Sequence, residues 1–154
     1  MSSPARCRGV TLVELIVTIV VVAVAVSGVL ALVSATAARS AENMQQVQAA
    51  AIAESYLNEI LQKPFGVDAC APACTRTNMA KVGDYNNLTN VGVQDATGSP
   101  VTNLASYTVQ VVITNPTLGT APVVPAAQSE LATVTVTAPD GQTVAVSGFR
   151  TLYP

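Results

Sequence analysis

Apolar residues run almost unbroken from Leu12 to Val33, 22 positions that include one charge, Glu14. At about 1.5 Å per residue a helix of that length spans about 33 Å, enough for the hydrocarbon core of a bilayer. No turn signal interrupts the chain from Val33 to Lys63, where alanines are frequent. Apolar positions recur there at helical spacing, as Met44, Val47, Ala51, Ile52, Tyr56, Ile60 and Leu61. Glu42, Gln45, Gln46, Gln48, Ser55, Asn58, Glu59 and Gln62 fill the other side. Pro64 disfavours helix at Lys63 and Gly66 follows, so the pattern predicts one helix from about Thr11 to Gln62. Ser27-Gly28 is the weak point within it, a place for a kink or a close helix approach.

After Pro64 the period changes. Tyr107, Val109, Val111 and Ile113 alternate with Thr108, Gln110 and Thr114, and Val112 breaks the alternation, which predicts a strand with its second face partly covered. Thr133–Thr137 and Thr143–Ser147 alternate cleanly, and Pro139-Asp140-Gly141-Gln142 between them is a hairpin turn. Asn115 to Glu130, with Pro116, Pro122 and Pro125, reads as a long loop. These elements predict an α+β chain in which a small antiparallel sheet covers the apolar stripe of the outer half of the helix.

Composition narrows the function more than the fold. Aromatic residues are only 4% and charged residues 10% of the chain, so the core is aliphatic. The formal net charge of −2, without a basic stripe, gives nucleic acid nothing to bind. The absence of histidine removes the commonest general base and metal ligand. There is no Gly-x-Ser-x-Gly elbow, no phosphate loop and no telling carboxylate pair, so no enzyme, cofactor or catalytic residue is expected. Asp84 to Asn90 followed by Asp95 is acidic and turn-rich. Leu88 occupies the place of an oxygen ligand and a closing glutamate is missing, so the segment reads as a solvated loop rather than a calcium site. Cys70 and Cys74, with no histidine and only Asp68 nearby, offer too few good ligands for zinc. If this part of the chain is exported they are expected to form a disulfide, pinning a short loop.

Arg6 and Arg8 precede the apolar run and Arg39 is the first charge after it, which favours a cytoplasmic N-terminus and an exported C-terminus. An ordinary secretory signal is the competing reading, with Ser34 to Ala38 as its cleavage region. The run is longer than the usual h-region of roughly 7–15 residues, and an acid near the start of an h-region is unusual. Near a membrane centre an acid costs about 2.5–3.5 kcal/mol, less near an end, so Glu14 calls for a partner.

Arg8-Gly9-Val10-Thr11-Leu12-Val13-Glu14-Leu15-Ile16-Val17 resembles the class III signal of type IV pilins and type II secretion pseudopilins. The resemblance implies a type IV pilin-like fold and cleavage by prepilin peptidase between Gly9 and Val10. It also implies N-methylation of Val10, although the family usually has phenylalanine or methionine there. Glu14 matches the family's glutamate at the fifth mature position, an assembly residue that faces the terminal amine of a neighbouring subunit or its own. The chain then divides into a leader (1–9), a transmembrane half-helix (10–33), an exported amphipathic half-helix (34–63) and an exported β domain (64–154) with the Cys70–Cys74 loop. Ala51 to Leu61 followed by Pro64-Phe65, Asp84-Tyr85-Asn86, and Ser147 to Pro154 resemble the D-type minor pilins of mannose-sensitive haemagglutinin (MSHA) pilus systems. That likeness implies a role in pilus assembly and hence attachment or motility, with a minor type II pseudopilin as the alternative. Implied partners are other pilins, the peptidase, the inner-membrane assembly platform and, before assembly, lipid. The implied location is the bacterial inner membrane, then the pilus or cell surface. Gly9→Ala is expected to leave the full unprocessed mass in the membrane fraction. Mature-sized protein at normal level on mass spectrometry would refute the cleavage site.

Overall fold

The computed structural model describes residues 11–68 and 74–152. They form one long helix, α1 (Leu12–Leu61), and a four-stranded antiparallel sheet of β1 (Thr89–Val91), β2 (Thr108–Thr114), β3 (Ser129–Thr137) and β4 (Thr143–Thr151), in the order β1-β2-β3-β4. This is the expected α+β arrangement, pilin-like in having a long N-terminal helix on a small sheet. The chain divides into two compact units at Ala41/Glu42, and α1 contributes to both.

In the first unit, described from residue 11, every side chain from Thr11 to Ser40 is exposed. Leu12, Leu15, Ile16, Ile19, Leu30 and Leu32 are among these exposed residues. The polar atoms of the segment are turned inward instead. Thr18 Oγ1 donates to the Glu14 carbonyl at 2.7 Å, Ser27 Oγ to Ala23 at 2.8 Å, Thr36 Oγ1 to Leu32 at 2.8 Å and Ser40 Oγ to Thr36 at 3.0 Å. Such bonds hide hydroxyls that an apolar solvent cannot satisfy. The helix passes through Ser27-Gly28 without a break. It closes where expected, one residue before Gln62. There Lys63 N–H reaches back to the Ile60 carbonyl at 3.0 Å and Pro64 follows.

In the second unit, Ala49, Ile52, Ala53, Tyr56, Leu57 and Ile60 of α1 are buried against the sheet. The expected stripe is therefore rotated. Ile52, Tyr56 and Ile60 belong to it and Leu61 is half-buried, but Met44 and Val47 are 63% and 70% exposed and Ala51 is exposed. Ala49, Ala53 and Leu57 take their places, the two alanines giving the strands room and Leu57 filling the space beside Gly148.

Facing the helix, β-branched residues align across the strands: Val109–Val136–Val144 and Val111–Val134–Val146. The next row is Ile113–Ala132–Gly148, and it narrows where the helix end arrives. A Cβ at Gly148 would lie 2.6 Å from Leu61 Cδ1, so the glycine makes room for Leu57 and Leu61. On the other face, Thr108–Thr137–Thr143 and Gln110–Thr135–Ala145 form polar rows, and Thr133 Oγ1 lies 2.9 Å from Ser147 Oγ. Val112 on that face is 39% exposed.

The hairpin turn is as read. Gly141 N–H donates to the Ala138 carbonyl at 2.9 Å and Ala138 N–H to Gln142 at 2.8 Å, with Gly141 at φ 84°, a type I turn closed by a glycine bulge. Two readings change. β3 begins at Ser129, inside the stretch read as loop, and β1 was not anticipated. Only three residues long, β1 shows no alternation long enough to detect.

The rotated stripe is testable. Ile60→Ala is expected to cost about 2–5 kcal/mol of urea-unfolding stability in detergent. Met44→Ala is expected to change it by less than about 0.5 kcal/mol. Equal effects would contradict the packing.

Candidate assembly site and the anchored loop

Glu14 stands in the first turn of α1 and is exposed. Its backbone N–H donates to Thr11 Oγ1 at 3.3 Å, and Leu15 N–H donates to the Thr11 carbonyl at 3.1 Å. Thr11 is thus the N-cap and Glu14 the third helical residue, the Thr-x-x-Glu spacing of a capping box. The sequence carried this signal and the reading of Glu14 as a charge in need of a partner passed over it. A carboxylate in the first turn also faces the positive end of the helix dipole. The described ion pairs are Arg76–Glu59 and Lys81–Asp68, and Glu14 takes part in neither. Gly9, Val10 and Cys70 lie outside the described residues. Cys74 is described and exposed, just ahead of the turn Thr75–Asn78, closed by Asn78 N–H to the Thr75 carbonyl at 3.0 Å.

A second cluster was not foreseen. Arg76 is buried, pairs with Glu59 on α1, and lies over the Tyr56 ring at 3.9 Å from its centroid. Tyr85 donates its hydroxyl to Glu59 Oε1 at 2.9 Å. Tyr56 donates to the Gln94 carbonyl at 3.0 Å and accepts from Gln94 N–H at 2.9 Å. Glu59, placed by the spacing on the polar side of the helix, is therefore not simply solvated. It is the point on α1 to which residues 76 and 85 are tied.

The Asp84 segment likewise differs from the solvated loop expected of it. Val82–Tyr85 is a short 3-10 helix in which Val82, Asp84 and Tyr85 are buried. The Asp84 carboxylate accepts backbone N–H groups of Asp68 at 2.7 Å, Ala80 at 2.9 Å and Lys81 at 3.0 Å. Lys81 Nζ reaches Asp68 at 2.8 Å, and the hydrogen bond and charge of Asp68 raise its pKa. Asp95 closes its own turn, accepting Thr97 N–H and Ser99 N–H at 2.9 Å each. Its bond from the Thr97 hydroxyl, followed by these amides, holds its carboxyl below the usual range. The two acids of the calcium-like pattern serve different segments, while Leu88 packs against the core. Glu130, buried on β3, accepts Gly66 N–H at 3.1 Å, and burial raises its pKa.

A groove of about 990 Å³ lies between α1 and this loop, lined by Ile52, Tyr56, Glu59, Arg76, Val93 and Leu104 among others. Its cation among the described lining residues, Arg76, is already committed to Glu59. The arrangement is structural: buried polar groups tie Arg76, Tyr85 and Gln94 to the helix and Gly66 to β3.

The prokaryotic N-terminal methylation motif matches residues 4–35. The match spans 32 of the 154 residues and indicates a prepilin-like N-terminal segment, of the kind that type IV pilins and pseudopilins carry. Together with the exposed apolar helix it fits a membrane-anchored pilin, consistent with processing by prepilin peptidase and assembly with other pilins. No curated protein and no solved structure matches the chain.

Burial, reinforced by the bond to Glu59, pushes the Tyr85 phenol well above its usual pKa. The unfolded chain then loses this proton first, near its ordinary value of about 10, while the folded chain keeps it. Stability is expected to fall as pH rises above about 10, and Tyr85→Phe to flatten that decline in urea titrations. An unchanged slope in the variant would remove Tyr85 as its source.

Proposed function

We propose that the chain is a minor pilin subunit of a type IV pilus of the MSHA type, acting in pilus assembly or initiation and hence in attachment or motility. The observation that carries the reading is the methylation motif joined to a helix segment that buries none of its own apolar surface. Residues 10–33 span the inner membrane with the N-terminus cytoplasmic. Residues 34–63 continue the helix into the periplasm, and 64–154 form the exported domain. Cleavage after Gly9 frees a positive amine at Val10, which is then methylated. In the filament this amine meets Glu14 of a neighbouring subunit, or of its own, and aliphatic side chains exchange lipid for other helices. Both charges would otherwise be stranded in an apolar bundle, so the pair specifies register. Thr11 capping supports this role, because it fixes the first turn that carries Glu14. Cys70 and Cys74 form a disulfide in the oxidising periplasm. The partners are other major and minor pilins, the prepilin peptidase and the inner-membrane assembly platform.

Glu14→Gln separates charge from capping, since glutamine also suits the third position of a capping box. Glu14→Gln and Glu14→Ala are both expected to reach the membrane at normal level. Both should fall more than about tenfold in purified filaments, a loss of at least about 1.4 kcal/mol. Incorporation of Glu14→Gln at wild-type level would sink the ion pair. Loss of secreted enzymes with intact surface pili in a deletion strain would favour the pseudopilin reading instead.

A further inference from the structure

β4 is a nine-residue edge strand, and no described strand pairs with its outer side. The direction of its backbone groups follows from the two ends of the β3–β4 ladder. Ala138 N–H donates to Gln142 and Leu152 N–H donates to Gln128, at 2.8 and 2.9 Å, and both pairs keep the register of the strands between them. Antiparallel ladders alternate, so Val144, Val146, Gly148 and Arg150 bond to β3. Thr143, Ala145, Ser147, Phe149 and Thr151 turn their N–H and C=O groups to the open side.

Edge strands are normally guarded by shortness, proline, bulges or charge. β1, the other edge, has three residues. β4 has no proline, pairs one-to-one with β3 without a bulge, and has a single charge, Arg150. Arg150 is exposed and takes part in neither described ion pair. Beside it, Pro64, Phe65, Phe149, Arg150, Thr151 and Leu152 line a hollow of about 450 Å³. Phe149 and Leu152 remain 54% and 50% exposed.

We propose that the edge of β4 receives an extended segment of a different protein that carries a carboxylate and an apolar side chain two residues apart. A strand added here satisfies the outward backbone groups, and specificity comes from alternate side chains. Its residues opposite Arg150 and Leu152 fall on the same face, two positions apart, as Arg150 and Leu152 do. The first meets the exposed Arg150 guanidinium and the second the hollow beside Leu152, where Pro64 and Phe65 supply apolar surface next to the polar Arg150 and Thr151. The edge strands of a second copy do not supply that pattern, because neither β1 nor β4 contains an acid.

The test uses the full-length chain in its own cells, with the photo-crosslinking residue p-benzoylphenylalanine in place of Ala145. The expected result is an adduct with a different polypeptide, mapped by mass spectrometry to a segment with Asp or Glu two residues from an apolar residue. Ser147→Pro removes an outward N–H and leaves the β3 ladder bonds in place, and should reduce the adduct more than about tenfold. Because proline can also disturb the strand itself, Arg150→Glu, on an exposed side chain, is the second arm and should reduce the adduct similarly. The proposal is overturned by no adduct, by an adduct only with a second copy, by an adduct mapped elsewhere, or by one that Arg150→Glu leaves unchanged.

Discussion

One helix has to live in two solvents, and the rest of the structure follows from that constraint. From Leu12 to Val33, α1 satisfies its backbone internally and folds its hydroxyls back onto carbonyls one turn earlier, yet buries none of its aliphatic side chains. Such a segment gains its burial from lipid or from other helices, since the chain's own sheet does not cover it. From Ala49 to Ile60 the same helix has a narrow buried face and polar flanks, and there the chain supplies its own cover. The prepilin-like N-terminal motif and the arrangement of the fold meet in this single element.

How the cover is made depends on size as much as on hydrophobicity. Ala49 and Ala53 on the helix, with Ala132 and Gly148 on the sheet, permit close approach, and the valine rows fill the space between. With few aromatics available, Tyr56, Tyr85 and Tyr107 each take part in the core while keeping the hydroxyl bonded, to Gln94, Glu59 and Gln48. A buried arginine and two buried carboxylates, Asp84 and Glu130, then hold residues that have no strand or helix to stabilise them. Ordering such a segment costs conformational entropy at every residue, and hydrogen bonds to buried charged groups are among the stronger ones that offset it.

Much of this was legible beforehand where a pattern repeats. The apolar run, the helix stop before Pro64, the alternation in β2 to β4 and the Pro-Asp-Gly turn each rest on a local rule that a few residues state completely. The rotated stripe was misread because Val47 and Ala51 are apolar and correctly spaced, yet lie on the face turned away from the sheet, while their neighbours Gln46 and Gln48 reach Gln142 and Tyr107. Glu59 and Asp84 were misread as solvated because their partners, Arg76 and the backbone of Asp68, lie 17 and 16 residues away. No local signal marks such a pairing.

The sequence by itself determined that the N-terminal helix is a membrane-length apolar segment led by a methylation motif, with one acid near its start. Those properties are additive along the chain and need no fold to be read. Only the tertiary structure decided which face of the outer helix is buried, which charges are interior, and that β4 is left open while β1 is too short to matter. Each of these depends on where distant segments meet. Such meetings are set by shape, by the small residues that permit contact, and by the partners that most buried polar groups find, with Gln45 Oε1 and Arg76 Nε and Nη1 the exceptions among the described side chains.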